Sequence, residues 1–392
     1  MSDSCHTVRL LQALNDESEE STDDCLKHES VKQWISDQVS VGSVAKPRVK
    51  LGNAVESITC LCYASACADA HTVQKLVQSG ADVTVTDSYA QTALHWACRS
   101  TTATATETIQ YLLSCDASLI GRRNKDDDTP LHVAARYGND NVIAVLIQHG
   151  AEIEEQGWYG RTALHHASRQ GHCACIHTLI ENGANVQAVD IENESTPLHL
   201  AAYADHANCV RILIDKYNAK INAADVDNDT PLHDAAYNGN VSAIDALASY
   251  AECEINAKSQ EGRTALHLAC MRRHVSCIHA LMTHGAELEA RDDDASTPLH
   301  LAVTSNHAES VSLLIDKYGA SINALNKRGY APLHMAAAAG HTAMVELLTS
   351  FHRCNPVIKN KYNETPAEVA QYAGHTAIAQ YLTSLMHVLS GG

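Results

Sequence analysis

The chain has 392 residues, 45% of them hydrophobic, and a formal net charge of −18 at pH 7. Because an acidic surface repels phosphate groups, this charge argues against nucleic acid and anionic membrane surfaces as partners. No uninterrupted apolar run reaches the roughly 20 residues that a membrane-spanning helix requires. We also expect no signal peptide, and therefore expect the 14 cysteines to be reduced thiols in the cytoplasm or the nucleus.

Residues 1–53 carry no internal repeat. The stretch from Glu17 to Asp24 is polar and acidic, a composition typical of disordered segments. Val31, Trp34 and Ile35, in contrast, share one face if the chain is helical there. We therefore predict a polar segment that is partly disordered or forms capping helices.

From residue 54 onward a short motif repeats along the chain. A threonine that precedes x-Leu-His marks seven units, as in Thr129-Pro130-Leu131-His132, and weaker matches at Thr59, Ala331 and Thr365 extend the series. Successive motifs are separated by 33, 37, 33, 34, 34, 34, 33, 34 and 34 residues, which defines ten units over residues 54–388 and leaves residues 389–392 as a terminal tail. The predicted helix starts are Thr59, Thr92, Thr129, Thr162, Thr196, Thr230, Thr264, Thr297, Ala331 and Thr365.

Each motif has the chemistry of a helix start. A threonine hydroxyl can accept an unpaired N–H of the first helical turn, and proline fits the first helical position because it has no N–H to leave unpaired. A glycine break follows, such as Gly171-His172, and then apolar residues recur at helical spacing, such as Ile176 and Leu179. This second helix ends at a Gly-Ala pair, where glycine can adopt the left-handed conformation that closes a helix. Each unit is therefore predicted to contain two helices followed by a polar finger.

The Thr-Pro-Leu-His-x-Ala-Ala start, the Gly-His break and the Gly-Ala end together resemble the ankyrin repeat family over residues 54–388. The resemblance implies an all-α fold, a solenoid of helix-turn-helix units with projecting β-turn fingers, arranged as a curved, right-angled stack. It also implies that the fingers and the first helices line a concave face that binds proteins. We therefore expect a non-catalytic scaffold or adaptor, present as a monomer and without a cofactor.

Three units depart from the pattern. The first has Thr59-Cys60-Leu61-Cys62 in place of the motif and lacks both proline and histidine, so it is expected to cap the stack. The longest gap places extra residues around Thr101–Thr106, between the two helices of the second unit. In the ninth unit Ala331 replaces the capping threonine, which should cost about 1 kcal/mol of local stability.

Clusters of histidine, cysteine and aspartate raise the question of a metal or catalytic site. Eight of the 24 histidines, from His95 to His334, occupy the motif position, and we interpret them as structural because they recur with the fold. Cys173 and Cys175 point about 200° apart on a helix and cannot bind one zinc ion. The Asp225–Asp229 stretch lacks the turn glycine and the glutamate of a calcium loop. We predict no metal site and no enzymatic activity.

A candidate partner-binding surface comes from the variable positions of the repeat. These positions lie just before the motif threonine and seven or eight residues after it, and they are rich in the residue types that dominate binding hot spots. The alternative is that each tyrosine only packs on its neighbour. Acidic fingers flank these positions, so we expect a protein partner with basic residues around an apolar anchor. The candidate residues are Arg136, Tyr137, Trp158, Tyr159, Arg169, Tyr203, Tyr237 and Arg272.

Two other functions stay open at this stage. The chain could be a subunit or fragment of a larger signalling, receptor or ubiquitin-ligase assembly. The resemblance also implies a possible substrate of asparaginyl hydroxylation, because members of the family are modified at an asparagine after the Gly-Ala turn. Asn222, Asn256 and Asn323 hold that place.

Overall fold

The computed structural model describes residues 48–50, 57–67, 70–100 and 104–390. The prediction of a partly disordered or helical segment over residues 1–53 lies outside this part of the chain except at residues 48–50. Residues 101–103 of the predicted long loop and residues 391–392 of the predicted tail also lie outside it.

Helices dominate the described residues, and the chain divides into two units, residues 1–192 and 193–392. The helices of the first unit are α1 (Cys60–Cys67), α2 (Ala70–Gln78), α3 (Ala93–Arg99), α4 (Ala105–Cys115), α5 (Pro130–Tyr137), α6 (Asp140–Gln148), α7 (Ala163–Arg169) and α8 (Cys173–Glu181). Those of the second unit are α9 (Pro197–Tyr203), α10 (Ala207–Asp215), α11 (Pro231–Asn238), α12 (Val241–Ala248), α13 (Ala265–Met271), α14 (Val275–Thr283), α15 (Pro298–Thr304), α16 (Ala308–Ser312), α17 (Pro332–Ala339), α18 (Thr342–Ser350), α19 (Pro366–Tyr372) and α20 (Thr376–Ser390).

The helices of each unit pack in two rows. In both units the odd-numbered helices, here called inner helices, contact one another in sequence, as in α3, α5 and α7. The even-numbered outer helices do the same from α2 to α8 and from α10 to α16. The segment between an outer helix and the next inner helix is the finger. The predicted all-α repeat solenoid is confirmed by this stacking of helix pairs.

Local chemistry sets the ends of the inner helices. In the third repeat Thr129 has extended backbone angles, Pro130 is the first residue of α5, and Gly138 ends the helix with a left-handed φ of 81°. A side chain at Gly138 would meet the ring of His172, so glycine is required there by space as well as by conformation. In the first repeat Thr59 is the last residue of a strand, and α1 begins at Cys60.

The core is built from small aliphatic side chains that recur with the repeat. In the third repeat Leu131, Ala134 and Ala135 of the inner helix are buried against Ile143 and Leu146 of the outer helix. Ala-rich inner helices can approach one another closely, which explains how a chain with one Phe forms a continuous core.

Backbone hydrogen bonds join successive fingers within each unit. In the first unit the Lys125 N–H donates to the Tyr89 carbonyl at 2.8 Å, and in the second the Val226 N–H donates to Asn193 at 2.9 Å. Each finger is closed by its own side chain, as where Asn124 Oδ1 accepts the Asp126 and Asp128 N–H groups. The finger row is therefore a rigid platform rather than a set of independent loops.

Two features complete the architecture. Strands β1 (Arg48–Lys50) and β2 (Ser57–Thr59) pair antiparallel, with Arg48 opposite Thr59, and the sequence analysis did not predict them. In the described part of the chain, the helices are too short or too polar for any of them to cross a bilayer.

Candidate protein-binding surface

The motif histidines join each repeat to the next. His132 Nδ1 accepts the Thr129 N–H at 3.1 Å, so the ring proton lies on Nε2, which donates to the carbonyls of Glu155 and Arg161 at 3.0 Å each. Burial lowers the pKa of His132 to about 4, so the ring is neutral at pH 7. These contacts give the repeated histidine a structural role.

The other motifs weighed for metal chemistry also have local partners. His172 Nε2 lies 3.0 Å from the Arg136 carbonyl, across the junction of two repeats. Asp225 Oδ1 accepts the N–H groups of Asp227 and Asp229 at 3.0 and 2.8 Å, which closes a finger turn. No group of three or more metal-ligating side chains converges among the residues that the structure describes.

An apolar cluster lies on the fingers of the first unit. The rings of Trp158 and Tyr159 stack with centroids 4.3 Å apart, and the side chains are 50% and 36% exposed. Tyr159 has a φ of 58°, a left-handed conformation that is unusual for an aromatic residue. Its carbonyl accepts the N–H of Ile191 at 2.9 Å, and Ile191 is 73% exposed. We call Trp158, Tyr159 and Ile191 the apolar finger cluster.

Ile191 is a residue that the sequence analysis missed. It follows Asp190, just as Trp158 follows Gly157 in the preceding finger. The repeat spacing did not align the two residues, because Trp158 stands four residues before Thr162 and Ile191 five residues before Thr196. The backbone hydrogen bond from Ile191 to Tyr159 brings them together. Gly160 belongs to the finger of Trp158 and faces Ile191 of the next finger, where a side chain at position 160 would collide with Ile191.

A buried carboxylate organises the residues beneath this cluster. The Asp128 side chain is fully buried, forms an ion pair with Arg136 and lies 3.5 Å from His166 Nε2. Burial raises the pKa of Asp128, but the contacts with His166 and Arg136 outweigh burial and hold this pKa below its usual value. Asp128 also lies against Gly157, the residue before Trp158. The ion pair therefore links the end of the inner helix to the finger that carries the cluster.

Tyr137 lies against an arginine of the preceding repeat. The Arg99 guanidinium lies between two rings, 4.6 Å from the centroid of Trp96 and 4.8 Å from that of Tyr137. The Trp96 indole N–H in turn donates to Asp87 at 2.9 Å. Arg169 is exposed at the end of α7, at the position that Arg136 occupies in α5.

The remaining candidates belong to the second unit. Tyr203 and Tyr237 are 44% and 40% exposed at the ends of α9 and α11. The Arg272 guanidinium lies 4.4 Å from the centroid of Tyr237. The structure thus brings together Trp158 with Tyr159 in one unit and Tyr237 with Arg272 in the other.

The three asparagines proposed for hydroxylation lie in the fingers of the second unit. Asn222 Nδ2 donates to the Glu252 carbonyl at 2.7 Å, and its Oδ1 accepts the Glu254 N–H at 3.0 Å. Asn323 makes the equivalent pair of bonds, and Asn256 Oδ1 accepts the Glu287 N–H at 2.8 Å. An enzyme that must reach these carboxamides has to break bonds between repeats first, and hydroxylation stays a prediction.

The repeats match a known family. The family model for ankyrin repeats matches residues 26–120, 103–190, 187–259, 251–326 and 318–388. The chain belongs to the ankyrin repeat family. The first matched segment of these ankyrin repeats begins at residue 26, within the stretch where inspection of the sequence finds no motif. Ankyrin repeats are protein interaction modules, and the family is typically non-catalytic.

One curated relative of this ankyrin repeat chain is a channel protein. Over 90 residues the chain is 32% identical to the transient receptor potential cation channel subfamily A member 1 homolog of Caenorhabditis elegans. The shared segment spans 23% of this chain and 7% of that protein. The similarity therefore concerns a small part of the relative.

Proposed function

We propose that the chain is a non-catalytic adaptor that binds a protein partner through its fingers and the ends of its inner helices, the face that the family resemblance expects to be concave. The observation that carries this proposal is the apolar finger cluster. Three large apolar side chains are exposed side by side on a backbone held by hydrogen bonds between fingers. A rigid aromatic patch loses little conformational entropy on binding, which suits it to anchor a partner.

The fingers around the cluster favour a particular partner chemistry. Glu152 and Glu192 are exposed near Trp158 and Ile191 in the chain, and Asp127 is exposed on the preceding finger. Some of this charge is already compensated, because Arg123 pairs with both Asp127 and Glu155, and Arg161 lies 3.7 Å from Glu192. A partner segment with an apolar anchor flanked by basic residues would complement the remaining acidic groups.

The second candidate function is that of an interaction module within a larger signalling, receptor or ubiquitin-ligase assembly. The segment shared with a cation channel homologue supports this proposal. The native mass of the endogenous protein, measured with and without crosslinking, tests it. Migration as a free chain of 42.3 kDa under both conditions would contradict it.

An affinity experiment tests the adaptor proposal. The intact chain is compared with a variant carrying Trp158→Ala, Tyr159→Ala and Tyr203→Ala, and captured proteins are quantified by mass spectrometry. The control carries Tyr111→Ala and Tyr381→Ala, which alter partly exposed tyrosines of outer helices. Circular dichroism confirms that all three proteins fold.

The comparison of the two variants decides the result. We expect specific partners to be lost from the first variant and retained by the control. Partners retained by the first variant, or lost equally from both, would contradict binding through the fingers and inner helices.

A further inference from the structure

Three arginines occupy the same position in consecutive inner helices of the first unit. Arg99, Arg136 and Arg169 each lie seven residues after the motif threonine, at the ends of α3, α5 and α7. These helices pack in sequence, so the three side chains form one row, which we call the arginine column. At the same position the second unit begins with Tyr203 and Tyr237, so the column is a property of the first unit.

Arg99 is held in place without an ion pair. Its guanidinium is sandwiched between Trp96 and Tyr137, and its Nε is buried with no hydrogen-bond partner among the described residues. The nearby Asp87 is occupied by the Trp96 indole, and no carboxylate of the described residues lies within ion-pair distance of Arg99. A guanidinium fixed between two rings still presents the donors on its free edge, and carboxylates bind such an edge with two hydrogen bonds.

Arg136 connects the column to the apolar finger cluster. Its partner Asp128 is buried against Gly157, the residue that precedes Trp158. The column therefore lies beside the finger that carries the aromatic anchor. Its charge is opposite to that of the exposed finger carboxylates, such as Glu152.

We propose that the arginine column binds an acidic side chain of the partner, so that the partner segment carries an apolar anchor with a carboxylate on the inner-helix side and basic residues on the finger side. This inference rests on the proposed function and deepens it. Arg99, which has no carboxylate partner among the described residues, binds the acidic side chain of the partner. Arg136 keeps the row aligned through its ion pair with Asp128.

Panning of a random twelve-residue peptide library displayed on phage tests the proposal. The baits are the full chain, an Arg99→Gln and Arg169→Gln variant, and a control variant with Arg122→Gln and Arg211→Gln. Both variants lose two positive charges, but the control arginines are exposed outside the column, with Arg211 on outer helix α10. We expect the intact chain and the control to enrich peptides with aspartate or glutamate at a fixed spacing from an aromatic or aliphatic residue, and the column variant not to do so.

A double-mutant cycle then separates binding from folding. The best selected peptide and its Glu→Gln or Asp→Asn counterpart are titrated against each bait by fluorescence anisotropy. We expect the amide peptide to bind the intact chain about tenfold more weakly, the loss typical of one charged hydrogen bond, and the column variant to bind both peptides equally.

Each other outcome overturns the proposal. A pool without acidic enrichment, including a pool with no enrichment at all, shows that the column does not select a carboxylate. An equal loss of affinity with both baits places the carboxylate elsewhere. If the intact chain selects apolar or basic peptides whose binding depends on Trp158, the proposed adaptor function stands and this inference alone fails.

Discussion

Asp128 and Asp229 hold the same position, directly before the motif threonine, in different repeats. The contacts of Asp128 with His166 and Arg136 hold its pKa below the usual value despite its burial. Asp229 has no such ion pair among the described residues. Its neighbours include Asp225, Asp227 and Glu261, opposed by Arg263. The Oδ1 atoms of Asp128 and Asp229 are both buried without a hydrogen-bond partner in this part of the chain. Burial and these like charges raise the pKa of Asp229 to about 7. The same residue type thus has a lowered pKa in one repeat and a raised pKa in another.

The substitution Asp229→Asn should stabilise the chain above pH 7. Folding raises the pKa of Asp229 from 3.8 to about 7. The free energy of unfolding therefore falls as the pH rises between these two values, because the folded state disfavours the charged carboxylate. An amide removes the charge at every pH, and the gain in the urea midpoint should grow from pH 5 to pH 8. Asp294→Asn, at an exposed position of another finger that is not one of the neighbours of Asp229, is the control. A gain that is independent of pH would contradict the raised pKa.

At the scale of single elements, the inner helix and its cap form the recurring stabilising device. In most repeats the motif threonine hydroxyl lies 2.8 to 2.9 Å from the histidine Nδ1, as in Thr129 with His132 and Thr297 with His300. In the ninth repeat Ala331 offers only its N–H, which donates to His334 at 3.1 Å. The last repeat replaces the histidine by Glu368, whose Oε2 accepts both the N–H and the hydroxyl of Thr365.

Restoring the cap with Ala331→Thr should raise the free energy of unfolding by about 1 kcal/mol. The site is buried, and the threonines at equivalent positions are accommodated in the same surroundings. Ala331→Val is the matched control, because valine has the shape of threonine without the hydroxyl. Hydrogen exchange of α17 measures the local effect, and equal protection in both variants would show that the hydroxyl contributes nothing.

The same elements show what could be predicted from sequence. The inner helices were predictable because their signals are local, with a threonine, a proline and a glycine at fixed offsets, as at Thr129, Pro130 and Gly138. The sandwich of Arg99 was not, because it depends on contact between Arg99 and Tyr137, which lie in different repeats. The pairing of β1 with β2 also had no signal, since three-residue strands are too short for a periodic pattern.

At the scale of the whole molecule, the motif histidines couple stability to pH. Burial lowers the pKa of His95, His132 and His300 to about 4 and also lowers the pKa values of His233, His267 and His334. Each ring is neutral in the fold because Nδ1 must accept a backbone N–H. The repeats that carry these histidines are therefore all expected to lose stability as the pH falls.

Acidification from pH 7 to pH 4 should destabilise both units progressively. Such a histidine takes up a proton near pH 6.5 in the unfolded state but only near pH 4 in the folded state. Its contribution to the free energy of unfolding is therefore fully present above pH 6.5 and is lost as the pH falls from 6.5 to 4. The loss is about 1.4 kcal/mol for each such histidine one pH unit below its unfolded pKa. Acidification has the opposite effect at Asp229, where protonation favours the folded state, but this single gain is smaller than the summed loss from the histidines. Urea midpoints that stay constant from pH 7 to pH 5 would contradict the prediction.

The central claim is that the chain binds a protein through the fingers and inner helices. Hydroxyl-radical footprinting of the free chain and of the affinity-captured complex tests it most directly, because Trp158 and Tyr159 are exposed and reactive side chains. We predict that the partner protects Trp158, Tyr159 and Ile191 while Tyr381, on outer helix α20, stays equally reactive. Unchanged reactivity of the apolar finger cluster, with protection confined to the outer helices, would contradict the claim.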